Sequence, residues 1–447
     1  MKQKDCINNN VSKSGLNAYS LAGIGIGGII GAGFFLGSSL AINQAGPSVV
    51  LAFLFGGLIM SQVLGAMTSI SINRPVQGSF RVYTELFLGR FMGFLLGWII
   101  FVSGILSLGS EAIAAGVFIS YWIPRVSSAL FAIIAIIIVI GINALGTKYF
   151  GFIESVMSFI KIAVLVMFIL LGTFIIIKNG ITIKQNPFSS YNAFFPNRIS
   201  GFLQSMLIVV FTYSGISTVA MATSEVRRPC LEIPKATVIL TLGTVSLYII
   251  SMLIIVNIVD WSSINTNISP FVQGFNNMGY GWASSLINGV ILIATFSVMI
   301  GSFYGCVQML VSLSKAQEAP KIFKGATERE FYKYSWVASG TISILVVLMA
   351  FALGTKLFNY LISSSSYFSF FNWVVNLITY LVWIRKREKS EIYDSPLIKG
   401  RLGAIITIIV IITLLVISLG VSDFRIGFYM ALGISFIISV MYKLIKF

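Results

Sequence analysis

The stretch Ala22-Gly-Ile-Gly-Ile-Gly-Gly-Ile-Ile-Gly-Ala-Gly-Phe34 stands where a first membrane span would cross the centre of a bilayer. Gly23, Gly25, Gly27, Gly28, Gly31 and Gly33 recur through it. Glycine weakens a helix interior by about 1 kcal/mol relative to alanine and leaves the backbone uncovered. A backbone N–H or C=O released in hydrocarbon needs a partner, and a bound ligand can be that partner. The same glycines also suit close packing of one span on another, so the stretch alone leaves both readings open.

The flanking sequence is that of a bilayer-spanning chain. Of 447 residues, 57% are hydrophobic and 10% charged, and the mean hydropathy is +0.94. Apolar runs long enough to cross a membrane recur from end to end. The expected fold is an all-α polytopic membrane protein with twelve transmembrane helices, at roughly 17–42, 46–71, 91–123, 127–146, 153–177, 200–224, 234–258, 281–313, 335–353, 357–384, 402–420 and 426–445. Residues 1–16 form a polar tail, and 17–447 read as a single membrane domain with no long soluble insertion.

The net charge of +16 comes from 30 Lys and Arg against 14 Asp and Glu. It follows topology rather than nucleic-acid binding, since the basic residues sit in short connections and no basic-aromatic tract occurs. With the N-terminus inside, only Arg125, Lys178, Lys184, Arg198, Lys356 and Arg425 fall on the outer side, and Lys161 falls within a span. Both termini are therefore expected in the cytoplasm. The tail through Asn17 carries Lys2, Lys4 and Lys13 and reads as retained rather than cleaved. The chain has no histidine, which removes histidine metal sites and Ser-His-Asp chemistry. Cys6, Cys230 and Cys306 are scattered and suggest no disulfide framework. No cofactor and no metal site is expected.

A second interruption, Phe211-Thr-Tyr-Ser-Gly-Ile-Ser-Thr218, places Gly215 and a polar patch inside the sixth span. Spans one and six are five apart. Paired breaks at matching positions of two halves point to a transporter binding site. The first ten spans then read as a five-plus-five inverted repeat, about 17–177 and 200–384, with two extra helices at 402–445. Each broken helix offers an N-terminus that suits a carboxylate and a C-terminus whose carbonyls suit an ammonium group. A site that reads both on one carbon is a site for an α-amino acid.

Two ionisable residues lie within spans. Glu111 in span three is expensive unless it faces the bundle interior or a cavity; a proton acceptor, a substrate contact and a structural carboxylate all fit. Lys161 in span five suits proton coupling, with snorkelling toward the cytoplasmic end as the alternative. Phe211 and Tyr213 flank the second break and can close over a ligand. Arg74, Arg81, Glu85, Arg90, Glu225, Arg227, Arg228, Glu232 and the run Arg385-Lys-Arg-Glu-Lys389 read as solvated or anchoring loop charges.

Several segments resemble bacterial amino acid permeases of the amino acid–polyamine–organocation superfamily, in the amino acid transporter branch. They are Gly28-Ile-Ile-Gly-Ala-Gly-Phe-Phe-Leu-Gly37, Gln44-Ala-Gly-Pro47, Pro75-Val-Gln-Gly-Ser-Phe80, Glu111 with Tyr121-Trp122, and Gly151-Phe-Ile-Glu154 with Lys161. Further on come Ser224-Glu-Val-Arg-Arg-Pro229 with Ile233-Pro-Lys-Ala236, and Leu313-Ser-Lys-Ala-Gln-Glu-Ala-Pro320. The resemblance implies a five-plus-five inverted repeat plus two spans, and proton-driven amino acid uptake. It implies that backbone at Gly31, Ala32 and Gly33 holds the substrate carboxylate, and that carbonyls near Ile29, Phe211 and Ser214 take the amino group. It makes Phe211 a gate and puts Lys161 where sodium-driven relatives bind sodium. Gly25 and Gly23 then belong to helix packing.

The sequence departs from that pattern at Ser217, where glutamate is common, at Ala32, where threonine or serine is common, and at Gln308, where arginine is common. Without the span-six carboxylate the chain is expected to take a neutral amino acid, with proton coupling on Glu111 and Lys161. It is not expected to be an enzyme. The expected site is Ile29, Gly31, Ala32, Gly33, Phe211, Ser214, Gly215, Ser217 and Glu111. The expected setting is a bacterial plasma membrane, with protons and an amino acid as partners. An exchanger without proton coupling and a permease-like sensor are the rivals.

Overall fold

The computed structural model describes residues 17–74, 80–145, 147–179, 186–216, 226, 229–325, 331–354 and 356–444. Every long element among them is a helix. In chain order these are α1 (Ala18–Ile29), α2 (Ala32–Phe35), α3 (Gly37–Ala45), α4 (Val49–Asn73), α5 (Phe80–Leu88), α6 (Arg90–Ser120), α7 (Ser128–Asn143), α8 (Thr147–Asn179) and α9 (Tyr191–Phe194). They continue as α10 (Arg198–Thr212), α11 (Pro229–Ile258), α12 (Pro270–Asn277), α13 (Gly281–Lys315), α14 (Lys333–Leu348), α15 (Ala350–Leu353), α16 (Lys356–Lys386), α17 (Gly400–Ser418) and α18 (Ser422–Leu444).

Ten runs among the described residues are long and apolar enough to cross a membrane. The first of them, Ala32–Asn73, carries the second part of the expected first span together with the second span. Two of the twelve expected spans fall short of a full crossing for identifiable reasons. The first is divided at Ile30 and Gly31, which leaves α1 with 12 residues, and α7 has only 16. The short helices α5 and α12, each in a connection, were not anticipated from the apolar pattern.

The bundle is knit by side chains that reach backbone carbonyls across helices, since lipid supplies no partners. Asn288 on α13 donates to the Phe118 carbonyl of α6 at 2.8 Å. At the other end of the same helix pair, Trp98 donates to the Glu318 carbonyl at 3.2 Å. Tyr213, at the end of α10, donates to the Phe53 carbonyl of α4 at 2.9 Å. The segment after α16 is clipped onto α4, with Gln62 donating to the Leu397 carbonyl at 2.7 Å and Asn73 to that of Tyr393 at 2.7 Å.

One connection departs from its expected character. The sequence pattern makes Arg81 a solvated or anchoring loop charge, but α5 turns its Phe80, Arg81, Tyr83 and Thr84 inward. Arg81 is 4% exposed and pairs at 2.5 Å with Glu318, which is fully buried. A helix short enough to lie across the mouth of the bundle buries its charge against the loop it covers, and only a paired charge can be left there. Arg74 pairs with Glu391 and, at 3.3 Å, with Glu388.

Candidate functional site

The first expected break is present at the residues the glycine pattern singles out, and the helix of the sixth span ends where the second is expected. α1 ends at Ile29, Ile30 is extended (φ −79°, ψ 104°), and Gly31 is fully extended (φ −145°, ψ −164°) before α2 begins at Ala32. Leu36 keeps helical angles, so α2 and α3 form one slightly kinked helix. α10 ends at Thr212, and Ser214–Ile216 form a single 3-10 turn. Ser217 and the rest of the expected sixth span lie outside the described residues.

The glycines earn their places through space rather than left-handed dihedrals. A Cβ on Gly31 would lie 2.7 Å from Glu111 Oε1 and 2.8 Å from Val298. On Gly33 it would lie 2.9 Å from the Phe211 ring, and on Gly215 it would meet the Gly28 carbonyl oxygen at 2.3 Å. The two breaks therefore touch backbone to backbone. Gly27 carries the close helix packing, 1.8 Å from Ser158 Oγ by the same measure. Gly23, which was assigned to packing, has nothing among the described residues within 4 Å.

Charged groups complete both exposed helix ends. The Ala32 N–H, first of the second half-helix, donates to Glu111 Oε2 at 2.9 Å, and the Gly33 N–H faces the same carboxylate. Glu111 is 2% exposed. An anion at a helix N-terminus satisfies orphan donors and the partial positive charge together. At the other end, Lys161 donates to the Gly27 carbonyl in the last turn of α1 at 2.5 Å. Lys161 is fully buried, so it turns into the protein rather than snorkelling. Glu232, read as a loop charge, accepts from the Ala18 N–H at 2.7 Å and caps the start of α1.

Tyr248 on α11 joins the two breaks, and the sequence reading missed it. Its hydroxyl is 3.3 Å from the Ile29 carbonyl and 3.4 Å from that of Thr212, the last residues of α1 and α10. Its ring stacks on Phe34 at 3.7 Å and 5°. Phe34 and Phe35 pack in turn on Phe271 of α12, both at 5.2 Å. Phe168 of α8 closes on Phe271 at 4.7 Å. These rings are all buried and fill one side of the break.

The other side is open. A cavity of about 160 Å³ runs from the breaks between α6, α10, α13 and α16 to Phe80, Met309 and Asn372. Of the expected site residues, Ile29, Gly33, Glu111, Phe211, Ser214 and Gly215 line it. Gly31 and Ala32 stand immediately behind, and Lys161 does not reach it. Among the described residues Glu111 is its one charged lining residue. Among the described residues no cluster of metal-ligating side chains occurs.

A model of the amino acid permease family, described as "Amino acid permease", matches residues 21–447. The chain belongs to the amino acid permease family. Its relatives include the uncharacterized amino acid permease YvbW of Bacillus subtilis (strain 168), 28% identical over 92% of this chain and 92% of the relative. The uncharacterized amino acid permease YtnA of the same organism is 29% identical over 86% and 84%. The amino-acid permease RocE, again of that organism, is 29% identical over 87% and 85%. The permease family is a family of transporters, and this permease is a multi-pass membrane protein.

Proposed function

We propose that this permease is a secondary active transporter that takes a neutral amino acid into a bacterial cell by alternating access, coupled to protons. The observation that carries the reading is the Glu111 carboxylate on the Ala32 N–H, at the edge of a cavity and beside the carbonyl ends of α1 and α10. Those ends are complementary to a zwitterion: N–H groups at Ala32 and Gly33 for the carboxylate, carbonyls of Ile29, Phe211 and Ser214 for the ammonium. Phe211, over Gly33, serves as the gate.

Glu111 already occupies the carboxylate position. Two unit negative charges about 4 Å apart repel by about 4 kcal/mol at an effective dielectric near 20, more than one helix end returns. The substrate carboxylate therefore takes the helix end only as Glu111 gains a proton and gives way. Substrate and proton then enter together, which is symport. Lys161 keeps the end of α1 in place from behind. A second reading puts the exchanged proton on Lys161, whose ammonium binds the Gly27 carbonyl at the end of α1.

The five-plus-five inverted repeat is supported by the matching positions of the breaks. It is also supported by α5 and α12, short helices that follow the second and the seventh span. With the charge asymmetry placing both termini in the cytoplasm, the cavity beside α5 opens inward and the aromatic cluster beside α12 seals the outer side.

The test is uptake of labelled amino acids into liposomes holding the purified protein. Accumulation is expected with an inward proton gradient and should vanish when the gradient is collapsed. Uptake that persists after collapse in vesicles preloaded with a counter-substrate makes the protein an exchanger. Binding without any accumulation makes it a sensor.

A further inference from the structure

We infer that the substrate side chain is polar and uncharged, carrying a hydroxyl or a carboxamide. The inference rests on the amino acid reading above and concerns the part of the cavity beyond the helix ends. Ser103, Ser107 and Glu111 fall four residues apart on α6, so they share one face at steps of about 6 Å. A side chain that leaves an α-carbon held at Gly33 and Glu111 along this face meets the Ser107 hydroxyl first. Ser302 on α13 lines the same space. Among the described residues the Ser107 and Ser302 hydroxyls make no hydrogen bond, and both are only half-buried.

Deeper in, the polar wall continues. Ser103 and Ser365 hydroxyls are 3.0 Å apart, and Ser365 also reaches the Ser103 carbonyl at 3.2 Å. Asn372, which also lines the cavity, accepts from Asn376 at 3.0 Å through its side-chain oxygen. Gly301 borders the cavity with nothing within 4 Å of its Cβ position, so this wall leaves room for substrate atoms. A void of about 150 Å³ accommodates a molecule the size of benzene, and this one, at about 160 Å³, suits a small or medium side chain.

Charge and hydrogen bonding then select the class. Among the described residues a cationic side chain finds no carboxylate besides Glu111, which in the proposed mechanism is protonated and neutral once the substrate is bound. Among the same residues an anionic one finds no lining cation. A hydrocarbon side chain expels water from Ser107 and Ser302 and leaves their hydroxyls unpaired, and sites built on such groups reject the analogue that cannot answer them.

Equilibrium binding on the purified full-length protein, read by thermal shift across concentrations, tests this with near-isosteric pairs: threonine against valine, asparagine against leucine, glutamine against methionine. The polar member of at least one pair should bind at least about tenfold more tightly, and lysine and glutamate should bind more weakly than it does. Joint Ser107→Ala and Ser302→Ala replacement should shrink that gap to less than about threefold by weakening the polar member. Ser302→Ala alone gives a smaller shrinkage and serves if the double variant fails to fold. Valine, leucine and methionine binding as tightly as their partners, or a charged amino acid binding best, overturns the inference and leaves amino acid transport standing. If none of the amino acids binds, the transport reading falls and takes this inference with it.

Discussion

Glu111 and Lys161 hold the two ends of one broken helix with opposite charges, and they differ in what lies on their far side. Glu111 binds the start of α2 from the wall of the cavity, whereas Lys161 binds the end of α1 from fully packed protein. Each meets the partial charge of its helix end, an interaction of up to about 2 kcal/mol in a partly buried setting. In the proposed mechanism a ligand reaches and replaces only Glu111. A charge at a helix end is thus a fixture or an exchangeable placeholder according to whether a cavity adjoins it.

The largest effect that can break this contrast comes from the helix end itself. Gly33→Leu drives a side chain into the Phe211 ring, and uptake should fall at least about a hundredfold while folded protein still reaches the membrane. Wild-type uptake in this variant removes the carboxylate site. Glu111→Ala leaves the Ala32 N–H to water, and uptake should fall at least about tenfold. Glu111→Gln should keep amino acid binding while flattening its dependence on pH, because a neutral amide neither repels the substrate carboxylate nor titrates. A pH profile unchanged by that replacement makes Glu111 structural.

Lys161→Met should sharpen the contrast from the other side. With the stem retained and the Gly27 carbonyl uncovered, stability should fall by about 1–3 kcal/mol, and uptake should drop several-fold with its pH profile kept. Loss of proton-driven accumulation with binding intact would instead move the proton to Lys161. The smallest effect is expected at Glu232, which caps the start of α1 away from the cavity. Glu232→Gln should change uptake less than about twofold, since the amide oxygen can still accept from the Ala18 N–H and a cap is worth about 1 kcal/mol.

Much of this was legible in the chain. Gly31, Gly33 and Gly215 mark the breaks, where neighbouring groups approach the backbone too closely for a side chain. The reason at Gly31 was not legible: its angles suit any residue, and only the approach of Glu111 from α6 excludes a side chain. Lys161 could be placed within a span but not turned inward, because orientation depends on where α1 packs. Arg81 and Glu318 lie far apart in the sequence and meet only when α5 folds across the bundle. Tyr248 sits in Val245-Ser-Leu-Tyr-Ile-Ile250, an apolar run in which nothing distinguishes a hinge-joining hydroxyl from a packing ring.

The exchange of carboxylates at Ala32 is tested most directly by counting protons as an amino acid binds to the purified protein. Calorimetry near neutral pH in buffers of different ionisation enthalpy yields that number. The account predicts uptake of up to one proton per amino acid bound in the wild-type protein and none in Glu111→Gln. Binding without proton uptake in the wild type, or with the same uptake in Glu111→Gln, would contradict it.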